Sequence, residues 1–271
     1  MESIIYNVHE TATIANDVII DCEEFVLGPN SVIKSGCVIR CRKFIAQEGL
    51  YMCEGVEIGR GGCHGPNSNV YIGSNVGIFE RTIINPSDEV HIGDNVGIGG
   101  EVMIWTHGAW LDVMQGFPAD FGPVHIGDNV WLPARSIVLP NVSIGSNTVI
   151  GIGSVVNKNI PPGSLAAGHP CKVIKENYYP KELSSDEKLK IIDDIITDYR
   201  QLAEYKNLYV DLEFTENVII LTHSEGDTIY DLRCRTMSGV MNDISEDFRD
   251  YLRRRGIKIF TGNPFRSVNI V

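Results

Sequence analysis

An aliphatic residue recurs at every sixth position along much of this chain. The clearest run is Ile126, Leu132, Val138, Ile144, Ile150 and Val156, and the same phase appears at Leu27, Ile33, Ile39 and Ile45, at Ile72, Ile78 and Ile84, and at Ile92, Ile98 and Ile104. In most units of the clearest run a small residue follows four positions later: Val130, Ser136, Val142, Thr148 and Ser154. A period of six fits neither the 3.6 residues of a helical turn nor a simple series of hairpins. It is typical of a short strand plus a tight corner, repeated around a prism.

Three such units complete one coil of a parallel β-solenoid. The aliphatic and small positions point inward and stack on their equivalents one coil away, while Gly and Asn supply the corners, including backbone with positive φ. Each coil buries its face only against its neighbours, so the core is continuous along the stack. An irregular β-sandwich is the alternative, and the shared phase of the units disfavours it.

The composition restricts the class of partner. With 43% hydrophobic and 21% charged residues, the chain can form an ordinary buried core. A net charge of -12 disfavours binding to nucleic acid or to an anionic membrane, because both need a positive field. No run approaches the roughly 18 apolar residues of a membrane span and no signal-peptide pattern opens the chain, so we expect a cytoplasmic protein without membrane insertion. The seven cysteines include no CxxC pair and are expected to be reduced thiols rather than disulfides or zinc ligands.

Between Ile104 and Ile126 the six-residue period is interrupted by one insertion, roughly residues 110–123, which contains Trp110, Phe117 and Phe121. Insertions in solenoids become loops on one face, often the binding face. His107 stands where this loop leaves the coil. By position alone His107 is equally well interpreted as a catalytic base or as a structural histidine whose ring nitrogens are hydrogen-bonded within a corner.

The repeats and their flanking segments resemble the left-handed β-helix acyltransferases, and most of all the galactoside, maltose and polysaccharide O-acetyltransferases. The resemblance runs from about Ile72 to Lys175 and more loosely from residue 26. It rests on the segments 92–96 (Ile-Gly-Asp-Asn-Val), 105–107 (Trp-Thr-His), 126–131 (Ile-Gly-Asp-Asn-Val-Trp) and 166–174 (Ala-Ala-Gly-His-Pro-Cys-Lys-Val-Ile). It implies a left-handed parallel β-helix with a small C-terminal α+β appendage.

The resemblance implies an acetyl-CoA-dependent O-acetyltransferase that acts on a sugar hydroxyl, in a surface-polysaccharide precursor or a glycan. His107 would be the general base, because an imidazole titrating near neutral pH can take the proton of an alcohol as it attacks a thioester. No acidic residue can be assigned as its orienter, and a backbone carbonyl would serve. Trp131 would pack beside the catalytic pocket or, as an outward aromatic residue, against a neighbouring subunit, and Trp110 and Asn85 would contact the acceptor. The family also implies a homotrimer in which two chains enclose each site, with no metal.

The resemblance further implies where CoA binds. Lys158, Lys172 and Lys175 fall in segments similar to the family's CoA-binding tail, although each could equally be a solvated surface lysine. Contacts to the rest of the cofactor are expected from Ala134, Ile152 and Asn157. The sequence departs from the family pattern at three places near the loop and the CoA contacts: Thr106 replaces a glycine of some relatives, Leu132-Pro133 replaces Ile-Gly, and Asn157 replaces a frequent Thr.

Alternative functions remain open on the same fold. An amine acceptor would make the chain an N-acyltransferase of an amino sugar or nucleotide sugar, and a degenerate β-helix would make it a non-enzymatic scaffold. A metalloenzyme resembling the gamma-type carbonic anhydrases is disfavoured, because that family carries two histidines five apart and no pair among the seven here has this spacing: His9, His64, His91, His107, His125, His169 and His223. His91 and His125 are expected to stack on adjacent coils as a solvated ladder.

The period of six ends near Pro180, so we predict a β-helix domain over residues 1–179 and an α+β domain over 180–271. Ser184 and Glu187 form a capping-box pattern, followed by a helical apolar face: Leu189, Ile192, Ile195, Ile196, Tyr199 and Leu202. Strands are predicted within 208–214, 218–221 and 228–232, and a second helix over 244–255. The region carries no motif that indicates a chemical role.

Overall fold

A computed structural model describes residues 5–61, 63 and 65–265, so His64 lies outside the described residues. The chain divides into two compact units, Met1–Lys181 and Glu182–Val271. The first unit is a left-handed parallel β-helix, as predicted. Within the described part of the chain, no helix is long and apolar enough to span a bilayer.

The coils of the first unit run three strands at a time. They begin as β1 (Ile5–Val8), β2 (Thr13–Ile14), β3 (Ile19–Asp21), β4 (Glu24–Leu27), β5 (Val32–Ile33), β6 (Val38–Arg40), β7 (Lys43–Ala46), β8 (Tyr51–Met52), β9 (Glu57–Ile58), β10 (Asn69–Ile72), β11 (Gly77–Ile78), β12 (Ile83–Asn85), β13 (Val90–Ile92), β14 (Gly97–Ile98) and β15 (Met103–Trp105). A hairpin, β16 (His107–Gly108) and β17 (Asp120–Phe121), then leaves the coil, with a short 3-10 turn at Val113–Gln115. The unit ends with β18 (Val124–Ile126), β19 (Trp131–Leu132), β20 (Ile137–Val138), β21 (Ser143–Ile144), β22 (Val149–Ile150), β23 (Val155–Val156), β24 (Leu165–Gly168) and β25 (Cys171–Lys175).

Three parallel sheets form the sides of the prism. In spatial order the first contains β1, β4, β7, β10, β13, β18 and β21; the second contains β2, β5, β8, β11, β14, β19, β22, β24 and β25; the third contains β3, β6, β9, β12, β15, β20 and β23. Only β25 runs antiparallel within its sheet, against β24. We name each corner by the sheets it joins, so the third–first corner holds the residues after β12, β15, β20 and β23, and the second–third corner holds those after β19 and β22.

The aliphatic positions of the repeat fill the interior in register. Ile104, for example, lies opposite Ile84 on one side and Val138 on the other, and all three side chains are fully buried. Because successive coils place like side chains on one another, the core is one continuous cluster. One expected inward position is wrong: Ile45 points outward, and Phe44 and Ala46 are buried instead.

Asparagine supplies many of the sharp corners, as the composition of the repeat predicts. Asn95, Asn129 and Asn147 all have φ between +55° and +59°, a region that asparagine tolerates better than most residues. Their amides form a ladder: the Nδ2 group of Asn95 donates to Oδ1 of Asn129 at 2.8 Å, and Nδ2 of Asn129 donates to Oδ1 of Asn147 at 3.1 Å. These bonds fix one corner of the prism across three coils.

The second unit is a small α+β fold. It contains α1 (Ser185–Tyr205), a four-stranded antiparallel sheet of β26 (Asp211–Thr215), β27 (Val218–His223), β28 (Gly226–Asp231) and β29 (Thr236–Gly239), and α2 (Asp243–Arg254). The predicted capping box at Ser184 and Glu187 is present. Tyr199, Tyr230 and Phe248 form the aromatic centre of the unit's own core.

Candidate active site

His107 opens the hairpin that interrupts the third–first corner. It pairs with Phe121 in the two-stranded antiparallel sheet of β16 and β17. Thr106, just before it, is fully buried: its hydroxyl donates to the carbonyl of Asn85 at 2.8 Å and accepts from the backbone N–H of Asp88 at 2.9 Å. The threonine that departs from the family pattern therefore fixes the corner from which the hairpin leaves.

The return strand of the hairpin is anchored to the next coil. The amide Nδ2 of Asn141 donates to the carbonyl of Phe121 at 2.8 Å, and the N–H of Gly122 donates to the carbonyl of Thr106 at 3.0 Å. Gly122 has φ +156°, and a side chain there would collide with Asn141. Both ends of the hairpin are thus held rigidly beside the imidazole of His107.

The imidazole of His107 is partly buried between aromatic rings. Its centroid lies 5.9 Å from the ring of Phe121 and 6.1 Å from that of Trp105. One ring nitrogen, Nδ1, is hydrogen-bonded to the hydroxyl of Ser87 at 3.0 Å. No hydrogen-bond partner of Nε2 occurs among the described residues, so this nitrogen is free to meet a ligand.

Ser87 is a site residue that the sequence analysis does not identify. The sequence assigns no orienter to His107 and allows a backbone carbonyl in that place, whereas the structure supplies a side-chain hydroxyl from the preceding coil. Asn85 lies directly behind Ser87, is only 1% exposed, and accepts a hydrogen bond from Ser87 at 3.3 Å. In the single chain the side chain of Asn85 thus supports Ser87, and its predicted contact with the acceptor stays a prediction.

The two tryptophans of the predicted site differ in their surroundings. Trp131 lies on the outer face of the second sheet and is 42% exposed. Its indole lies against Gly97 of the coil below, where any Cβ atom would come within 2.5 Å of the ring. Trp110, in the hairpin, is 95% exposed. In the single chain Trp110 therefore has almost no packing partner.

The predicted CoA contacts divide between two corners. Ala134 and Ile152 occupy equivalent places at the second–third corner, where the N–H of Gly153 donates to the carbonyl of Ala134 at 3.1 Å. Ile152 is 74% exposed. Asn157 and Lys158, both exposed, follow β23 at the third–first corner, on the side of the prism that carries His107.

Lys172 and Lys175 lie on β25, at the end of the second sheet. They pair with Ala167 and Leu165 across the antiparallel ladder. Both are exposed, and the ammonium of Lys175 stands 4.3 Å from the ring centroid of Tyr178. Neither these two lysines nor Lys158 forms an ion pair with a carboxylate in the part of the chain that the structure covers.

One chain does not bring all the predicted site residues together. His107, Asn157 and Lys158 lie at the third–first corner, whereas Ala134 lies at the second–third corner and Trp131 on the second sheet. At about 3.3 Å per residue, an edge-to-edge strand separates these groups by roughly 15–20 Å. A ligand that contacts both groups of residues must either bind between two chains, each of which supplies one group, or wrap around the prism of one chain.

Two further clusters of polar side chains lie outside this site. The expected stack of His91 and His125 is confirmed: their rings are 4.8 Å apart and 2° from parallel, and Nε2 of His91 contacts Oε2 of Glu89 at 3.0 Å.

The second cluster surrounds Cys53. Its thiol lies within 3.2 Å of carboxylate oxygens of Glu54 and Glu80, and among the described residues these three side chains are the single group that could together hold a metal ion. Burial and these two hydrogen bonds raise the pKa of the Cys53 thiol to about 12, so metal binding there would first have to displace a tightly held proton.

Comparison with known proteins identifies the repeat independently. Residues 123–158 match the model of the bacterial transferase hexapeptide, six repeats. Galactoside acetyltransferase in complex with coenzyme A is 33% identical over 52% of this chain and 72% of its own, with a TM-score of 0.44. A search of curated proteins found no match.

Two other solved structures extend the comparison. A maltose O-acetyltransferase from Clostridium difficile 630 is 35% identical over 47% of this chain, with a TM-score of 0.41, and the chain spans 66% of it, just under two thirds. The polysialic acid O-acetyltransferase OatWY is 18% identical over 66% of this chain and 88% of its own, with a TM-score of 0.51. The last similarity concerns the fold alone.

Proposed function

This chain belongs to the hexapeptide-repeat acyltransferases, and we propose that it transfers an acetyl group from acetyl-CoA to a hydroxyl of a sugar, in a surface-polysaccharide precursor or glycan. The observation that carries the proposal is the environment of His107. Its Nδ1 is held by Ser87, its Nε2 has no hydrogen-bond partner among the residues that the structure describes, and the hairpin beside the ring is anchored at both ends. A rigid imidazole with one free nitrogen suits a general base.

The reaction follows from this arrangement. Nε2 of His107 takes the proton of the acceptor hydroxyl while the hydroxyl oxygen attacks the thioester carbonyl carbon and forms the new C–O bond. The tetrahedral intermediate then collapses with cleavage of the C–S bond, and the leaving thiolate receives the proton from Nε2. The products are an acetyl ester and CoA thiol, and the imidazole returns to its neutral form. General-base assistance of this kind contributes about 10² to 10⁴ in rate.

The charge distribution supports CoA as the donor. The chain has a net charge of -12, so a phosphorylated ligand must be held by local cations. Lys158, Lys172 and Lys175 are exposed and free of ion pairs with described carboxylates, which leaves their ammonium groups available for phosphate. Galactoside acetyltransferase, 33% identical, was crystallised with CoA.

The separation of the candidate residues on two edges supports a homotrimer with shared sites. His107 and the hairpin of one chain would face Trp131, Ala134 and Ile152 of the next. Trp110, 95% exposed, and Ile152, 74% exposed, are apolar surfaces that such a contact would cover. Three prisms around a threefold axis would close the assembly and make three equivalent sites.

A screen of acceptors tests the reaction. Purified protein is incubated with acetyl-CoA and individual sugars and oligosaccharides, and released CoA is quantified by chromatography, because Cys234 is exposed and would react with thiol reagents. The expected product is an acetyl ester, cleaved by alkaline hydroxylamine. An amide product would instead identify an N-acyltransferase, and absence of CoA release with every acceptor, together with no binding of acetyl-CoA, would contradict the proposal.

A further inference from the structure

A chain of hydrogen bonds leads from His107 into the interior of the prism. Nδ1 of His107 lies 3.0 Å from Oγ of Ser87, Oγ of Ser87 lies 3.3 Å from Oδ1 of Asn85, and Sγ of Cys63 lies 3.2 Å from the same Oδ1. Asn85 and Cys63 are each 1% exposed. Asn85 and Ser87 lie at the corner after β12 and Cys63 at the corner after β9, so residues of two successive coils meet behind the imidazole.

The protons of this chain can be assigned by counting donors. Oδ1 of Asn85 has no hydrogen and only accepts. The hydroxyl of Ser87 has one hydrogen, which it donates to Oδ1 of Asn85. With that hydrogen directed to Asn85, Ser87 offers His107 only lone pairs, and the hydrogen between the two residues is then the one on Nδ1 of the imidazole.

Cys63 reinforces this direction. Burial raises the pKa of its thiol, so Cys63 remains protonated and donates to Oδ1 of Asn85. With both neighbours donating to it, the amide oxygen is held toward Ser87. The orientation of Asn85 thus follows from its surroundings.

We propose that Ser87, held by Asn85, is a positioning residue that keeps neutral His107 in the tautomer protonated at Nδ1, which leaves the lone pair of Nε2 for the proton of the acceptor. This inference rests on the proposed function, since it concerns the residue assigned there as the base. It also gives Oδ1 of Asn85 a role behind the imidazole.

The expected magnitude follows from the cost of a wrong tautomer. In the Ser-His-Asp triad of serine proteases, replacing the orienting carboxylate by an amide lowers kcat by about 10⁴. A neutral hydroxyl orients an imidazole less strongly than a carboxylate does. We therefore expect Ser87→Ala to lower kcat by roughly 10- to 100-fold while leaving the KM for acetyl-CoA within about twofold.

The kinetic test compares three variants of the full-length protein. Ser87→Thr keeps the hydroxyl and should recover most of the activity that Ser87→Ala loses. Ser31→Ala is the control, because the hydroxyl of Ser31 is likewise hydrogen-bonded at a corner and has no contact with His107; Ser31 is fully buried, whereas Ser87 is partly exposed. The inference is wrong if Ser87→Ala keeps wild-type kcat, or if Ser31→Ala lowers kcat to the same extent.

The tautomer can be measured without turnover. In protein labelled with ¹⁵N-histidine, the signals of His107 are assigned by their loss in His107→Ala, and spectra are recorded at a pH where the imidazole is neutral. We expect a protonated Nδ1 in the wild type and a mixture of tautomers in Ser87→Ala; a wild type protonated at Nε2 would overturn the assignment. If His107→Ala retains turnover, His107 is not the base, and the proposed function loses its base whichever tautomer is found. If His107→Ala is inactive but Ser87→Ala is fully active, His107 remains the base and only the role of Ser87 is refuted.

Discussion

Replacing Trp110 with alanine should weaken the association of chains. Trp110 is 95% exposed in the single chain, and an aromatic side chain buries about 150–250 Å² when it is covered. At about 25 cal/mol per Å², full coverage by a neighbour corresponds to about 4–6 kcal/mol. Coverage of half the ring corresponds to about 2–3 kcal/mol for each contact between chains, or a dissociation constant raised by roughly 30- to 150-fold.

Light scattering and sedimentation equilibrium over a range of protein concentrations measure this change. The wild type should have three times the chain mass of 30.0 kDa, and Trp110→Ala should dissociate at concentrations where the wild type does not. Tyr209→Ala is the control, because Tyr209 is 92% exposed and belongs to the second unit. A wild type that is monomeric and fully active, or a Trp110→Ala trimer as stable as the wild type, would refute the reasoning.

The remaining predictions concern the core and the cofactor. Ile104→Ala removes a fully buried side chain between Ile84 and Val138 and should destabilise the protein by about 2–5 kcal/mol, measured by denaturant unfolding; a loss below about 0.5 kcal/mol would contradict the packing described. Alanine at Lys158, Lys172 or Lys175 should raise the KM for acetyl-CoA about two- to fivefold with little effect on kcat, as expected for exposed charge pairs. Lys188→Ala, on the exposed surface of α1, is the control, and an unchanged KM in all three lysine variants would reject their assignment to phosphate.

The interior of the β-helix is predictable wherever corners have constant length. From Ile126 to Val156 every sixth aliphatic residue is buried, because each side of the prism uses the same number of residues. The phase fails at Ile45, since the corner after Ile39 holds one residue more and the buried positions become Phe44 and Ala46. A period identifies inward positions only until an irregular corner shifts it.

The third–first corner shows why part of the candidate site escapes prediction. Its length varies from coil to coil, and a second insertion, residues 59–68, is hard to recognise because it lacks the aromatic residues of 110–123. Ser87 lies in one of these irregular corners, so the six-residue period does not indicate which way its side chain points. The contact between Ser87 and His107 joins adjacent coils, and only the stacking of those coils reveals it.

In the second unit the strongly periodic elements are the predictable ones. The apolar face of α1 buries Ile192, Ile195, Ile196 and Tyr199, as its 3.6-residue spacing indicates, whereas Leu189, predicted on the same face, is 49% exposed. The edge strand β29, Thr236–Gly239, is absent from the predicted strands. Its short polar sequence has no clear alternation, and its position follows only from pairing with β28.

The turnover of His107→Ala tests the central claim most directly. With acetyl-CoA and an acceptor identified by the screen, kcat should fall by about 10² or more, because the acceptor hydroxyl loses its base. Direct binding of acetyl-CoA should be largely unchanged, since the proposed phosphate partners Lys158, Lys172 and Lys175 remain in place. A His107→Ala variant with near wild-type kcat would contradict the assignment of His107 as the base of acetyl transfer.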